Sequence, residues 1–209
     1  MSARGIPVFF IEPTGDSRYW LRRYSTVKAG TCNGRSYHNA QAKFGKHPAD
    51  ADLDQPPHDD PRWPTKCEHC DHQFTENDHW QILERRIYRR HDDHSVLMLL
   101  ENAPPGAIWN AEWLADRERG DQSRMWIGPD DRALMCKCPD GHDWHIDGQA
   151  SNCTMPDDHV HKCWVRTGRP EDGTLHVSKG KPGESCAAGA GSIQTGKWHG
   201  FLHHGHLVG

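Results

Sequence analysis

In MWIGPDDRALMCKCPDGHDWHID, residues 125–147, three short strand-like runs are cut apart by Gly-Pro-Asp-Asp and Pro-Asp-Gly. The runs are Met125 to Ile127, Ala133 to Cys138 and His142 to Ile146. Turn residues at such close spacing predict a β-meander. Working outward, residues 7–12 (PVFFIE) read as a short strand. Arg18 to Thr26 alternates, with Tyr19, Leu21 and Arg23 on one face and Trp20, Arg22 and Tyr24 on the other, which favours a strand over a helix. Val96 to Leu100, His159 to Val165, Leu175 to Ser178 and Trp198 to Leu202 read as further strands. Asn77 to Arg90 fits two readings: a helix on Trp80, Leu83 and Ile87, or a strand on Ile82, Arg86 and Tyr88. The expectation is a mostly β protein, irregular, with short strands, long loops and an extended N-terminal arm.

Composition shows what such a fold lacks. Only 34% of the 209 residues are hydrophobic and mean hydropathy is -0.90. Nine Trp, five Phe and four Tyr supply much of the apolar area, and 20 Gly with 14 Pro make turns abundant. The aromatics are spread along the whole chain, unlike those of a disordered sequence. Net charge is -4 with neutral His, and 17 His make that value soft near pH 6. Charge is uneven: residues 1–46 carry eight Lys/Arg against two acids, and residues 47–60 carry five Asp and no Lys or Arg. Lys28 to Asp60 has almost no periodicity and reads as a long arm or loop. The predicted division is an arm and loop over 1–60 and a β-rich domain over 61–209. No apolar stretch follows Arg4 as in a secretory leader, and no run approaches the length of a membrane span.

Eight cysteines without an export signal favour thiols and metal over a disulfide framework. Cys67-Glu68-His69-Cys70 is the strongest motif, because C-x2-C in a tight turn aims two sulfurs at one tetrahedral ion. The redox alternative calls for a helix start in a βαβ setting, which is absent. Cys153, His161, Cys163 and Cys186 could form a second site, since His161 and Cys163 share a strand face. Alternatively Cys67 and Cys70 close on Cys153 and Cys163. Zinc is the expected ion, and the domain is expected to be zinc-stapled. Cys136 and Cys138 read as small core residues, and Cys32 as an ordinary reduced thiol. His199, His203, His204 and His206 read as a polar terminal strand, and His142 and His145 as hairpin residues. There is no HExxH, GxSxG or phosphate loop, and His38-Asn39 lacks the surroundings of an HNH nuclease.

Several segments together resemble a family encoded among tailed-bacteriophage and prophage genes. They are FFIEPTG (9–15), WPTKCEHC (63–70), APPGAIWNAEW (103–113), GHDWHIDGQASNCT (141–154), HKCWVRTG (161–168), and CAAGAGSI with WHGFL within 186–202. The resemblance runs along nearly the full chain. It implies a phage context and no catalytic mechanism. The expected function is therefore a virion structural protein, a capsid-decorating, head–tail or tail component, and not an enzyme. It would assemble in the host cytoplasm and bind other virion proteins in multiple copies, with no membrane partner. Arg18, Arg22 and Arg23 offer a weak contact for nucleic acid. The alternatives are a zinc-dependent hydrolase or nuclease acting during infection, and a nucleic-acid or glycan-binding module.

Overall fold

The computed structural model describes residues 5–28, 30–44, 58–114, 126–150, 153–155, 157–158, 161–179 and 192–209. The fold is mostly β, with short strands and long connections, and with short 3-10 turns at Leu100–Asn102 and Glu112–Leu114 among the described residues. The chain forms two compact units. One gathers Met1–Glu12, Arg89–Val96 and Asn102–Gly209; the other gathers Pro13–Tyr88 and Leu97–Glu101. We refer to them as the outer-segment unit and the inner-segment unit, after their places in the sequence.

The inner-segment unit is built on β2 (Phe9–Thr26), whose remainder from Pro13 onward lies here. β3 (Tyr37–Phe44) returns antiparallel along it, in a register running from Tyr19↔Phe44 to Thr26↔Tyr37. β4 (His79–Arg90) flanks β2 on its other side, and β5 (Leu97–Leu99) flanks β4. The two readings of Asn77 to Arg90 resolve as a strand. Leu83 and Ile87 pack with Trp20, Leu97 and Leu99 on one face, which a two-residue period delivers. A second small core holds Cys32, Ala40, Cys67 and Phe74, with Val27 and Cys70 against it.

Lys28 to Asp60 is not a continuous loop. Residues 37–44 form a paired strand, because His38, Asn39, Ala40 and Phe44 have buried places to fill. The segment over 45–57 lies outside the described residues. The two compact units also divide the chain differently from the expected 1–60 and 61–209 partition. β2 and β3 pair across residues 19–44 and belong with residues up to 101, so that boundary would cut through one unit.

The outer-segment unit contains three pieces of sheet. In one, β6 (Ala107–Asn110) runs parallel to the start of β2, with Phe9 opposite Ala107. β7 (Leu134–Lys137) and β8 (Asp143–His145) continue it antiparallel. In another, β1 (Ile6–Pro7), β13 (His206–Val208), β12 (His199–His203) and β11 (Ile193–Gln194) lie side by side. The third is the hairpin of β9 (Trp164–Thr167) and β10 (His176–Lys179). Their shared core includes Val8, Ile108, Leu134, Cys136, Cys138, Ile146, Leu175, Val177 and Leu202, with Phe10, Trp144, Trp164 and Trp198 packed on it.

The meander anticipated over 125–147 is present as β7 and β8. Its first run is not a strand: Met125 lies outside the described residues, and Trp126 instead stacks on His145 at 4.7 Å. The strand expected over His159 to Val165 begins at Trp164. His159 and Val160 lie outside the described residues, and 161–163 are held by side-chain contacts set out below.

Charge is also buried in this unit. The side chains of Arg166 and Asp147 are 5% and 4% exposed, and Arg166 Nε donates to Asp147 Oδ1 at 2.7 Å. Asp147 Oδ2 accepts the Leu134 N–H at 3.1 Å. Burial pushes the Asp147 carboxyl up and the guanidinium pulls it down. Burial is the larger influence, so the Asp147 carboxyl is raised overall, while Arg166 keeps its proton. Asp130 joins Arg166 to Arg132, and Arg132 reaches Glu171.

Candidate metal centres

The first centre is built by two turns and a strand of the inner-segment unit. Cys32 opens a two-residue hairpin turn closed by the Arg35 N–H on the Cys32 carbonyl at 2.8 Å. Asn33 and Gly34 both have positive φ, 48° and 77°, the Asn-Gly pair that a type I′ turn needs. Cys67 and Cys70 stand on a second hairpin, closed by the Lys66–Gln73 bridge and by the Phe74 N–H on the Thr65 carbonyl. His38 comes from β3.

Their donor atoms converge. Cys32 Sγ lies 3.7 Å from both Cys67 Sγ and Cys70 Sγ, and Cys70 Sγ lies 3.3 Å from His38 Nδ1. All four donors fall within 4.8 Å of one another. A disulfide would bring two sulfurs to about 2.05 Å, so these thiols are not bonded, and the described cysteines are free. Thiolate–metal bonds of about 2.3 Å at a tetrahedral angle give a sulfur–sulfur edge of about 3.8 Å. The observed edges match that figure, so the cluster has the geometry to coordinate a metal ion.

The surroundings favour ionised sulfur. Burial opposes ionisation of Cys67, but N–H groups at the knuckle and the neighbouring donors outweigh it, and its thiol is held below the usual range. The His69 N–H points at Cys67 Sγ from 3.4 Å. Cys32 goes the other way, pushed up by burial and by the two facing thiols. Three sulfurs this close cannot all ionise without a cation between them. The ligands are also held from behind. The Glu68 N–H donates to the Asn39 carbonyl at 3.0 Å, Asn39 Nδ2 to Glu68 Oε1 at 2.8 Å, and Arg22 Nε to Asn39 Oδ1 at 2.7 Å. His38 stacks on His72 at 3.8 Å with the ring planes nearly parallel. Cys32 and Cys67 are fully buried. Four protein donors at these distances are compatible with a complete tetrahedral set.

Cys67 and Cys70 are thus together, as their spacing predicts, but their partners are Cys32 and His38. Cys153 and Cys163 belong to a separate cluster. Cys32 is corrected from an ordinary thiol to a member of the cluster. The overlooked signal was its Asn-Gly turn, the same kind of tight turn that makes C-x2-C effective.

Cys153, His161 and Cys163 form a second cluster in the outer-segment unit, with donors within 4.8 Å. His161 Nε2 lies 3.1 Å from Cys153 Sγ and 3.5 Å from Cys163 Sγ. Its Nδ1 faces the Asp158 carbonyl, which fixes the tautomer and leaves Nε2 to bind. The Met155 N–H points at Cys153 Sγ from 3.4 Å. Cys186 lies outside the described residues. Cys136 and Cys138 sit in the apolar core, where burial pushes both thiols up, Cys138 to about 12.

The arginines of β2 do not form an open stripe. Arg18 is buried, Arg22 is held by Asn39, and Arg23 donates to the Thr75 carbonyl at 2.8 Å. No helix among the described residues is long and apolar enough to cross a membrane. No protein-family model, curated protein or solved structure matches this chain.

Proposed function

We propose that the chain is a zinc-stapled binding protein that works by adhesion, as a structural component of a bacteriophage particle docking on other virion proteins. The observation that carries the zinc assignment is the Cys32–His38–Cys67–Cys70 cluster, with sulfur–sulfur edges of 3.7 Å and buried donors. Three thiolates and one imidazole suit Zn2+, and four protein ligands leave it structural rather than catalytic. The zinc would do what a hydrophobic core does elsewhere. The small core here is largely cysteine, and binding energy at such a site is folding energy.

The phage assignment rests on the resemblance of the motif segments, and on exposed aromatic area suited to a partner. Trp80 and Trp113 are each 48% exposed. Trp63 and His58 stand edge-on to Trp80 at 5.8 and 4.2 Å. Elemental analysis of protein purified without added metal tests the zinc, and mass spectrometry of purified particles tests the location. Presence at fixed stoichiometry is expected; a protein made during infection but missing from particles would remove the virion reading.

A zinc hydrolase is the second reading, and the Cys153–His161–Cys163 cluster is the observation that favours it, because three ligands plus water is the catalytic pattern. Cys186 separates the two. Loss of the second zinc in Cys186→Ser makes the site a closed structural one. Retention of that zinc with an exchangeable water makes it a hydrolase candidate.

A further inference from the structure

Neither cysteine cluster uses Glu12, His91 or His94, whose donor atoms also lie within 4.8 Å of one another in the outer-segment unit. We propose that these three form a surface site for a borderline divalent transition-metal ion, of the Zn2+, Ni2+ or Fe2+ class.

The carboxylate is prepared for one ligand bond. Arg89 places both Nε and Nη2 on the same oxygen, Oε1, each at 2.9 Å. That anchors Glu12 and turns Oε2 toward the histidines. His91 Nδ1 stands 3.4 Å from Oε2. This is long for an ion-paired N–H···O bond, which closes to about 2.7–2.9 Å. It suits two ligands on one ion, since metal–oxygen and metal–nitrogen bonds of about 2.0–2.1 Å at 90–109° set the atoms about 2.9–3.4 Å apart.

The backbone presents the histidines with little freedom. The His91 N–H donates to the Phe10 carbonyl at 3.0 Å. The turn that carries His94 is pinned by the Arg90 N–H on the Val96 carbonyl at 3.0 Å and by Ser95 Oγ on Asp93 Oδ1 at 2.6 Å. The two nearest acids on that turn are already engaged, Asp92 by Arg90 and Asp93 by Ser95. Two imidazoles and one carboxylate therefore remain to bind. This donor set prefers borderline ions to Ca2+ or Mg2+. Three protein ligands leave open positions, so the ion can take a further ligand from solvent or from a docked partner.

The test uses the full chain with its cysteine sites already loaded with zinc. Equilibrium dialysis against low-micromolar Ni2+, with both metals read by plasma mass spectrometry, should show bound nickel while zinc stays constant. His94→Ala, His91→Ala and Glu12→Gln should each weaken that nickel binding by about tenfold or more. His203→Ala/His204→Ala, a control for scattered surface histidines, should leave it unchanged. Constant zinc content in every variant shows that the fold is intact. Undiminished nickel binding in His94→Ala and His91→Ala, or a loss confined to the tail control, would overturn the proposal.

Discussion

Cys32 and Cys136 are both fully buried thiols, yet their surroundings give them opposite chemistry. Cys136 is packed among Ile108, Leu134 and Ile146, while Cys32 faces two other sulfurs at 3.7 Å. Replacing Cys32 or Cys67 by Ser should release the ion and destabilise the protein by about 3 kcal/mol or more, because metal binding is then part of folding. Cys136→Ser should keep full zinc content and cost about 1–3 kcal/mol for a hydroxyl buried without a good partner. Zinc analysis beside urea unfolding checks both; equal stability of Cys32→Ser and wild type would contradict the staple. His145 offers a second test. Burial, offset in part by its bond to the Trp126 carbonyl at 3.1 Å, lowers it from 6.5 to about 4. The unfolded chain then holds the extra proton between these values. The His145 contribution is complete above about pH 6.5 and is lost as pH falls toward 4. The melting temperature of His145→Gln should show a shallower decline than wild type across that window.

Turns, more than strands, carry the assembly at the scale of elements. Gly34 has φ of 77°. A methyl there would meet no neighbouring atom, so the cost of adding one is backbone strain alone. Gly34→Ala should therefore cost about 1–2 kcal/mol and loosen the metal. Gly205 combines φ of 75° with the Gly173 carbonyl oxygen standing where a Cβ would go. Gly205→Ala must displace the connection that leads into β10 and should be the more damaging of the two by thermal unfolding. The charged loop before β7 has its own signature. Burial raises Asp130, but Arg166 and Arg132 outweigh it and hold the carboxyl down from 3.8 to about 2. Its stabilisation is present above about pH 4 and is lost as pH falls through about 2, so Asp130→Asn should flatten the acid limb of the stability profile. These turns also explain how far the sequence could be read. Alternation in Arg18 to Thr26 made the second half of β2 legible, though residues 7–12 read as a separate strand and Phe9–Thr26 is continuous; the Pro-Asp-Gly break made β7 and β8 legible, and C-x2-C made Cys67 and Cys70 legible. β3 is hard to read because three of its four buried positions are His38, Asn39 and Ala40, with Phe44 the one large apolar residue, and Asn39 is held by hydrogen bonds rather than hydrophobicity. The Cys32 and His38 ligands were hidden because about thirty residues separate them from Cys67, and only tertiary pairing closes that gap.

On the scale of the whole molecule, strand pairing replaces part of the long arm expected from composition. Hydrogen exchange on the isolated protein should find residues 38–43 protected through their pairing with β2. Chelation of the metal should remove protection at the 65–74 hairpin, whose few apolar contacts cannot hold it alone. If the hairpin exchanges equally slowly with and without metal, zinc is a passenger and the stapling model fails. If β3 is protected in the free protein, the adhesion proposed above rests on other surfaces, such as the exposed Trp80 face.

The interleaving of the two units bears on how the protein is made. Every residue of the inner-segment unit, with all four donors of its metal site, lies before residue 102. Its counterpart needs segments from both sides of that stretch and is incomplete until the second half of the chain has been synthesised. Domains complete early in a sequence can fold while translation continues. The Cys32–His38–Cys67–Cys70 cluster can thus assemble before the segments after residue 101 that complete the other unit are made. On the zinc reading proposed above, a cell short of zinc should lose newly made protein first.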